Sequence, residues 1–416
     1  MAGKTPKQEA KKRLILLDAH AIIHRAYHAM PEFSNSKGEP TGALYGIATM
    51  LMKIITDLKP DYIVACYDLP QKTFRHEAYE GYKGKRVKAD DALVAQIISS
   101  RTIFEAFNIP MYDAPGFEAD DILGTIVEQM TGKDNANIEV IIASGDMDTL
   151  QLVNGPRVKV FTLKKGINDT ILYDEDAVVA RFGFLPKFLP DYKGLRGDPS
   201  DNIIGIAGIG EKTATDIIVA FGSIENLYKT IKKDEEAVAK IVKPRILELL
   251  KNGEEEALFS KTLATIRRDA PVTFSLPEKS FLESVDATVV ETLFRDLEFR
   301  SLVPRIQTVL GGSPSATPAV ATTQEDIDPT EVKRVGIALW LLQSDLTNIG
   351  ISDIATYKGS KNFVEGKTAI LKDIAENGLQ YIYDVELSIL PYVEEMEHHG
   401  ITLDVEKMKL LASEGH

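Results

Sequence analysis

One cysteine and one tryptophan occur in 416 residues. The lone cysteine, Cys66, excludes an intramolecular disulfide framework. Clustered His and Cys, the usual zinc donors, are missing as well. No apolar stretch approaches the roughly 20 residues that a membrane span requires. The basic start, Lys4 to Arg13, leads into an apolar run too short for a secretory signal before Asp18 interrupts it. The expected compartment is cytoplasmic, with no membrane partner. Internal repeats are absent. An excess of positive charge is also lacking: the formal net charge is −14, which on average argues against a nucleic-acid partner. That average hides one basic stretch. Lys72, Arg75, Lys83, Lys85, Arg86 and Lys88 are interleaved there with Phe74, Tyr79 and Tyr82.

Three short apolar runs each end on aspartate. Arg13-Leu14-Ile15-Leu16-Leu17 stops at Asp18, Tyr62 to Tyr67 stops at Asp68, and Val140-Ile141-Ile142-Ala143 runs into Asp146 and Asp148. Such runs, separated by helical patterns, predict buried strands of a parallel sheet. Ligands of such sheets lie beyond the carboxyl ends of the strands. Acids delivered to that edge by three strands cannot all ionise together without a cation. The pattern therefore points to a divalent-metal site.

Apolar content of 44% and a mean hydropathy of −0.09 belong to a globular protein long enough for two or three domains. Residues 12–175 alternate strand and helix patterns, with helices expected over Leu44–Leu58, Leu93–Phe107 and Glu118–Met130. Over 176–306 the strand signal fades and helices such as Ala214–Phe221, Ala237–Leu250 and Ala287–Leu297 take over. Residues 307–330, with Gly311-Gly312-Ser313-Pro314, read as a flexible linker. A mostly helical tail, 331–416, follows and holds Trp340.

Further acids join the strand ends. Glu118, Asp120 and Asp121 open a helix, where the macrodipole alone would favour them. Glu118 and Asp120 do not share a helix face, so a common site must use the helix end. Asp146 and Asp148 share a side if their strand continues, and otherwise form an acidic turn. In Gly197-Asp198-Pro199-Ser200-Asp201, Asp198 suits an N-cap and Pro199 the first helical position, which leaves Asp201 unexplained by capping. These nine acids (Asp18, Asp68, Glu118, Asp120, Asp121, Asp146, Asp148, Asp198 and Asp201) are hard oxygen donors suited to Mg2+ or Mn2+. They exceed the needs of one ion. Two ions about 4 Å apart would serve phosphodiester hydrolysis.

Gly205-Ile206-Ala207-Gly208-Ile209-Gly210-Glu211-Lys212-Thr213 approaches a P-loop, but Glu211 intrudes where a phosphate would sit. A helix–hairpin–helix turn fits better, with Gly205, Gly208 and Gly210 offering N–H groups, and Lys212 and Thr213 at the helix start, to a DNA phosphate. A tight turn without ligand is the plainer alternative. The basic stretch begins at the acidic sheet edge, so its cations suit phosphates and its tyrosines suit unpaired bases. Arg25, Tyr27 and His28 are further contact candidates, whereas His20 and His24 are expected to be structural.

Together these residues resemble the 5′ nuclease (5′–3′ exonuclease) domain of the bacterial DNA polymerase I family, within the flap endonuclease superfamily. The matching pieces are LLDAH, RAYHAM, YDLPQKTFRHEAYEGYKGKR, GFEADD, SGDMDTLQL and GLRGDPSDNIIGIAGIGEKTA, in family order over about 12–305. The resemblance implies an α/β fold: a PIN-like parallel sheet with a helical arch, then a helix–three-turn–helix subdomain. It implies that the nine acids bind two or more Mg2+, with Mn2+ as substitute. It further implies that Lys83, Arg86 and Arg25 contact the scissile phosphate and that Arg75, Tyr79 and Tyr82 help hold DNA. The implied partner is DNA with a 5′ flap, nick or free 5′ end, with RNA 5′ ends as a related substrate, bound by a monomer. The tail resembles pieces of the same family: the end of its 3′–5′ exonuclease-like domain and the start of its polymerase domain. No Asp-x-Glu exonuclease motif occurs in the short stretch between Arg305 and the tail, and no polymerase palm is found, so proofreading and nucleotide addition are not expected. A polymerase fragment and a non-catalytic DNA-binding platform are the competing readings.

Overall fold

The computed structural model describes residues 11–399 except 32, 87, 133–134, 136, 166–168, 311–326, 345–348, 356 and 361. Two compact units divide the chain, one up to Gly311 and one from Gly312.

The first unit opens with strand β1 (Lys12–Asp18), helix α1 (Ala19–Ala29), helix α2 (Gly42–Leu58) and strand β2 (Tyr62–Cys66). Short helix α3 (Phe74–Ala78) and helix α4 (Asp91–Ala106) precede β3 (Met111–Tyr112), α5 (Ala119–Met130) and β4 (Ile138–Ala143). A 3-10 turn, Met147–Leu152, leads to β5 (Val158–Lys165) and β6 (Asp169–Tyr173). The sheet order is β3-β2-β1-β4-β5-β6, parallel except for the β5–β6 pair. The sequence reading finds β1, β2 and β4, the continuous apolar runs. β3 is only two residues long, and β5 and β6 carry charged residues of the kind found near a sheet edge.

Register places the three acidic strand ends side by side. Asp18 pairs with Cys66 of β2, and Leu17 pairs with Ala143 of β4. The chain builds outward from β1 through β2 to β3, then returns to β1's other side with β4. That reversal is the switch point where α/β sheets bind ligands.

Period-2 alternation in β1 sends Leu14 and Leu16 to one face and Ile15 and Leu17 to the other. On the first face lie α5 and a helical layer. That layer comprises α6 (Glu175–Phe182), α7 (Leu189–Arg196), α8 (Glu211–Phe221), α9 (Ile224–Lys233), α10 (Glu235–Ala239), α11 (Pro244–Asn252) and α12 (Glu254–Ala264). Leu195, Ile217, Leu227 and Leu250 are among its fully buried side chains. On the second face α1, α2 and α4 are joined by α13 (Phe281–Ser284), α14 (Ala287–Asp296) and α15 (Leu302–Leu310). The stretch 176–306, read as one helical subdomain, thus divides between both faces of the sheet. Helical periodicity marks which residues are apolar but not which face they seek.

The second unit contains α16 (Pro329–Leu342), α17 (Ile351–Ala355), α18 (Phe363–Glu376) and α19 (Gln380–His399) around a small core of Ala338, Leu339, Ile354, Ile370 and Ile374. Of the expected linker, residues 311–326 lie outside the described residues, while 307–310 complete α15. The last part of the tail, 400–416, also lies outside them.

Candidate active site

Strand β1 ends on Asp18, which immediately caps α1. Its Oδ1 accepts the Ala21 N–H at 3.0 Å, and its Oδ2 accepts from Ser144 Oγ at 2.7 Å. Ser144 in turn accepts the Asp146 N–H at 2.9 Å. One hydroxyl therefore ties the ends of β1 and β4 together. Asp68, just past β2, accepts the Ala119 N–H at 2.7 Å. That bond aims the N-terminus of α5 at the same edge, bringing Glu118 and Asp120 with it and placing its positive dipole end near the acids.

Asp18, Asp68, Glu118, Asp120, Asp146, Asp148 and Asp198 line one open cleft of roughly 1260 Å3. Burial raises the Asp18 carboxyl from 3.8 to about 7; hydrogen bonds from Ala21 and Ser144 oppose the rise, and repulsion from Asp68 and Asp146 adds to it. Burial also lifts Asp148 to about 7, although Lys193 pulls the other way. Asp120 is pushed well above the carboxylate range by burial and then by Asp18, Asp146, Asp148 and Asp68. Carboxyls driven upward together are acids short of positive charge.

Basic side chains supply part of that charge. Lys83 Nζ stands 2.9 Å from Glu118 Oε1, and an Arg86 guanidinium nitrogen stands 2.5 Å from Asp201 Oδ1. Arg25 lines the cleft beside Gly145, where an added Cβ would lie 3.6 Å from its guanidinium. From α7, Lys193 reaches both Asp148 and Asp198. Burial opposes its charge, but the two carboxylates outweigh it and raise its pKa. Among the described residues no three His, Cys, Asp or Glu side chains converge closely enough to hold a cation as they stand. By its chemistry the donor set still fits hard divalent cations: it is all oxygen, and Asp18, Asp120 and Asp148 are pushed upward by burial first and by neighbouring acids second.

Several expectations change on contact with the fold. Asp121 does not line the cleft. It is fully buried and holds Arg75 in a two-pronged ion pair, 2.7 and 2.8 Å, while accepting the Arg267 and Glu118 N–H groups. Its oxygens are spent on the protein, and Arg75, 2% exposed, cannot reach DNA. Tyr82 is 3% exposed, and its hydroxyl donates to Glu118 and Asp201, both at 3.1 Å. It bridges acids rather than offering a face to a base. Tyr79 is half-buried, edge-on to Phe259. Asp201 lies behind the cleft lining, held by Tyr82 and Arg86.

The basic stretch is therefore not a standing arch here. It folds as α3 and a run of turns laid over the acids, with the Lys83 N–H on the Asp201 carbonyl at 2.9 Å. Asp198 starts no helix either. Residues 198–203 form a turn closed by paired 2.8 Å bonds between Asp198 and Ile203, with Asn202 left-handed at φ 57°. The strand does not continue to Asp148: Asp146 caps the 3-10 turn, accepting the Asp148 N–H at 2.9 Å. Gly205 is buried and gives its N–H to Ser260 at 3.0 Å, so it offers nothing to a phosphate. Gly208, Gly210 and Lys212 are exposed and Thr213 half-exposed around the start of α8.

Lys193 escapes the sequence reading, and so does the grouping of three histidines, of which only His28 stands among the contact candidates. Lys193 carries no signal, being an ordinary helical lysine five residues before Asp198. His20, His24 and His28 recur every fourth residue on α1, a spacing visible in the sequence, and all three line the cleft. His20, expected to be structural, also accepts the Asp68 N–H at 3.2 Å.

A doubly wound sheet with an acidic cleft at its switch point, overlaid by a basic segment, defines an α/β nuclease. Residues 13–183 match the 5′–3′ exonuclease N-terminal resolvase-like domain, and residues 184–287 match the 5′–3′ exonuclease C-terminal SAM fold. The chain belongs to the 5′–3′ exonuclease family. It is 40% identical over 297 residues to DNA polymerase I of Bacillus caldotenax, covering 71% of this chain and 32% of that protein. It is 36% identical over 325 residues to DNA polymerase I of Bacillus subtilis strain 168, covering 78% and 35%. The chain thus spans about a third of the length of these curated relatives. Among solved structures, the bacteriophage T5 5′-exonuclease with bound divalent zinc ions aligns with a TM-score of 0.50 at 20% identity, covering 69% of this chain and 98% of that one. A T5 flap endonuclease in a pseudo-enzyme–product complex with DNA and metal ions aligns with a TM-score of 0.50 at 18% identity, covering 72% and 100%. These two likenesses concern the fold.

Proposed function

We propose that the first unit is a metal-dependent, structure-specific 5′ nuclease that hydrolyses DNA phosphodiesters at flaps, nicks and free 5′ ends. One observation carries the reading: seven acids from three strand ends, a helix N-terminus and a turn meet in one cleft beneath Lys83 and Arg86. Asp18, Asp68, Asp120, Asp146, Asp148 and Asp198 are the residues that would hold divalent cations, with Glu118 beside them. Oxygen donors alone favour Mg2+, with Mn2+ in its place when supplied. Such ions, when bound, supply Lewis acidity toward water and the phosphodiester.

The chain's own residues do the rest. Asp68 and Ser144 fix the strand ends, so the carboxylates are held in place before substrate arrives. Lys83, Arg86 and Arg25 stand where the phosphodiester's charge has to be met, and the first two are now engaged by Glu118 and Asp201. A phosphate can take over those cations. In the reaction a water oxygen bonds to phosphorus, the bond from phosphorus to the 3′ oxygen breaks, and the products are a 5′-phosphate and a 3′-hydroxyl. Cleavage of an end-labelled 5′-flap duplex in Mg2+, with an EDTA control, tests this. Asp146→Ala and Asp68→Ala are expected to lower the rate by at least about a hundredfold; full activity in either variant would sink the assignment. A matched RNA flap in the same assay reports whether 5′ RNA ends are accepted.

A further inference from the structure

On the cleft wall formed by α7 and the turn after β4, Lys193 is the α7 cation paired with the cleft's aspartates, whereas Arg196 of the same helix faces Glu211. The Lys193 ammonium contacts Oδ1 of Asp148 and Oδ2 of Asp198, and the three side chains are 15%, 18% and 11% exposed. Two carboxylates from separate elements therefore share one positive charge in a half-dry setting. Asp198 is further held by Ser200, through its N–H at 2.9 Å and its hydroxyl at 2.6 Å. Asp148 also faces Asp146, whose carboxylate accepts the Asp148 N–H. One ammonium against this group leaves negative charge in excess. A divalent cation would cancel more of it. Lysine is a compact charge on a four-carbon stem and can withdraw without disturbing the helix that carries it.

We propose that Lys193 is an internal counter-ion: in the DNA-free chain it stands between Asp148 and Asp198 where a divalent cation has to bind, and the cation must displace it. The inference rests on the metal-dependent reading above. Displacement costs two charge-assisted contacts, so the free chain binds a cation on this wall more weakly than its acids alone would. The released ammonium still lies in the cleft, where a DNA phosphate offers it a new partner. Metal and DNA phosphate then strengthen one another's binding, as linkage requires.

Direct Mn2+ binding to the full, DNA-free chain tests the idea, measured by isothermal titration at fixed pH and ionic strength. Lys193→Met keeps the stem and removes the charge; it is expected to tighten binding at one site about tenfold, the weight of roughly one charge-assisted contact. Lys193→Arg keeps the charge and is expected to bind much as the unaltered chain does. Circular dichroism melts verify folding, and Lys193→Gln replaces the Met variant if that one unfolds. Equal or weaker Mn2+ binding by a folded, uncharged variant overturns the counter-ion role while leaving metal dependence intact. No Mn2+ binding by the unaltered chain or by the variants overturns both.

Discussion

Arg75 illustrates what a single residue contributes when its charge is turned inward. Its guanidinium bonds Asp121 twice, donates to Glu118 at 3.3 Å and reaches the Leu263 and Thr265 carbonyls at 2.9 and 2.8 Å. Burial works against the charge, yet Asp121 outweighs it and raises the pKa. The pair pins the start of α5 to the chain just after α12, which holds Glu118 and Asp120 in position. Removing one partner of such a pair strands the other in a dry site, at a cost of about 3–5 kcal/mol. Arg75→Ala is therefore expected to lose about that much stability in urea denaturation. DNA affinity of whatever folded protein remains should be close to unchanged, because the guanidinium faces no solvent. A variant of normal stability that fails to bind DNA would show that Arg75 serves the substrate instead.

Among the described glycines of the first unit, backbone meets backbone most closely where the turn after α7 returns to the Gly205 loop. An added Cβ on Gly205 would lie 2.2 Å from the Gly197 nitrogen, and one on Gly197 would lie 2.4 Å from the Ile204 carbonyl oxygen. Both glycines have positive φ, 64° and 78°. Backbone packed on backbone has no flexible side chain to yield, so both positions require glycine. This contact sets the loop that carries Asp198. Gly205→Ala is expected to cost at least about 2 kcal/mol through strain and clash, read as a lower urea midpoint. Flap cleavage should fall with it, since Asp198 moves with the loop. Unchanged stability would mean that the loop relaxes freely and the contact is incidental. The basic segment follows the same logic in polar form: Asn202 donates to the Gly81 carbonyl at 2.7 Å, so that turn also anchors the segment over the acids.

At the scale of the whole molecule, family similarity and folding boundaries differ. The family matches end at 287, whereas the first unit runs to Gly311. Between them, α14 and α15 place Phe294, Leu302 and Ile306 fully buried on the second sheet face, with Phe294 6.1 Å from Phe107. Stripping these helices would expose the apolar surface of α2 and α4. A chain ending at Gly311 is therefore expected to keep flap cleavage within about twofold of the full chain, as a self-contained unit should. One ending at residue 287 is expected to lie largely in the insoluble fraction. Soluble, active protein from the shorter chain would show that α14 and α15 are dispensable. The charge of −14 also makes sense only locally: the cleft concentrates acids, and cations from α1, α7 and the segment after β2 gather around them.

The sequence by itself determined which acids reach the sheet edge. Strand runs are written as short continuous apolar stretches that run up to an aspartate, so Asp18, Asp68 and Asp146 could be placed from neighbours in the chain. Which partners the charges chose was left to tertiary structure, because those partners are far apart in sequence. Arg75 and Asp121 are 46 positions apart, and Lys193 and Asp148 are 45. Distance in the chain hides such pairs, and burial decides them: a charge that folding removes from water must take the nearest opposite charge. Thus Asp121, Arg75 and Tyr82 turned inward, Asp201 was taken by Tyr82 and Arg86, Lys193 entered the site unannounced, and the other seven acids were left lining the cleft.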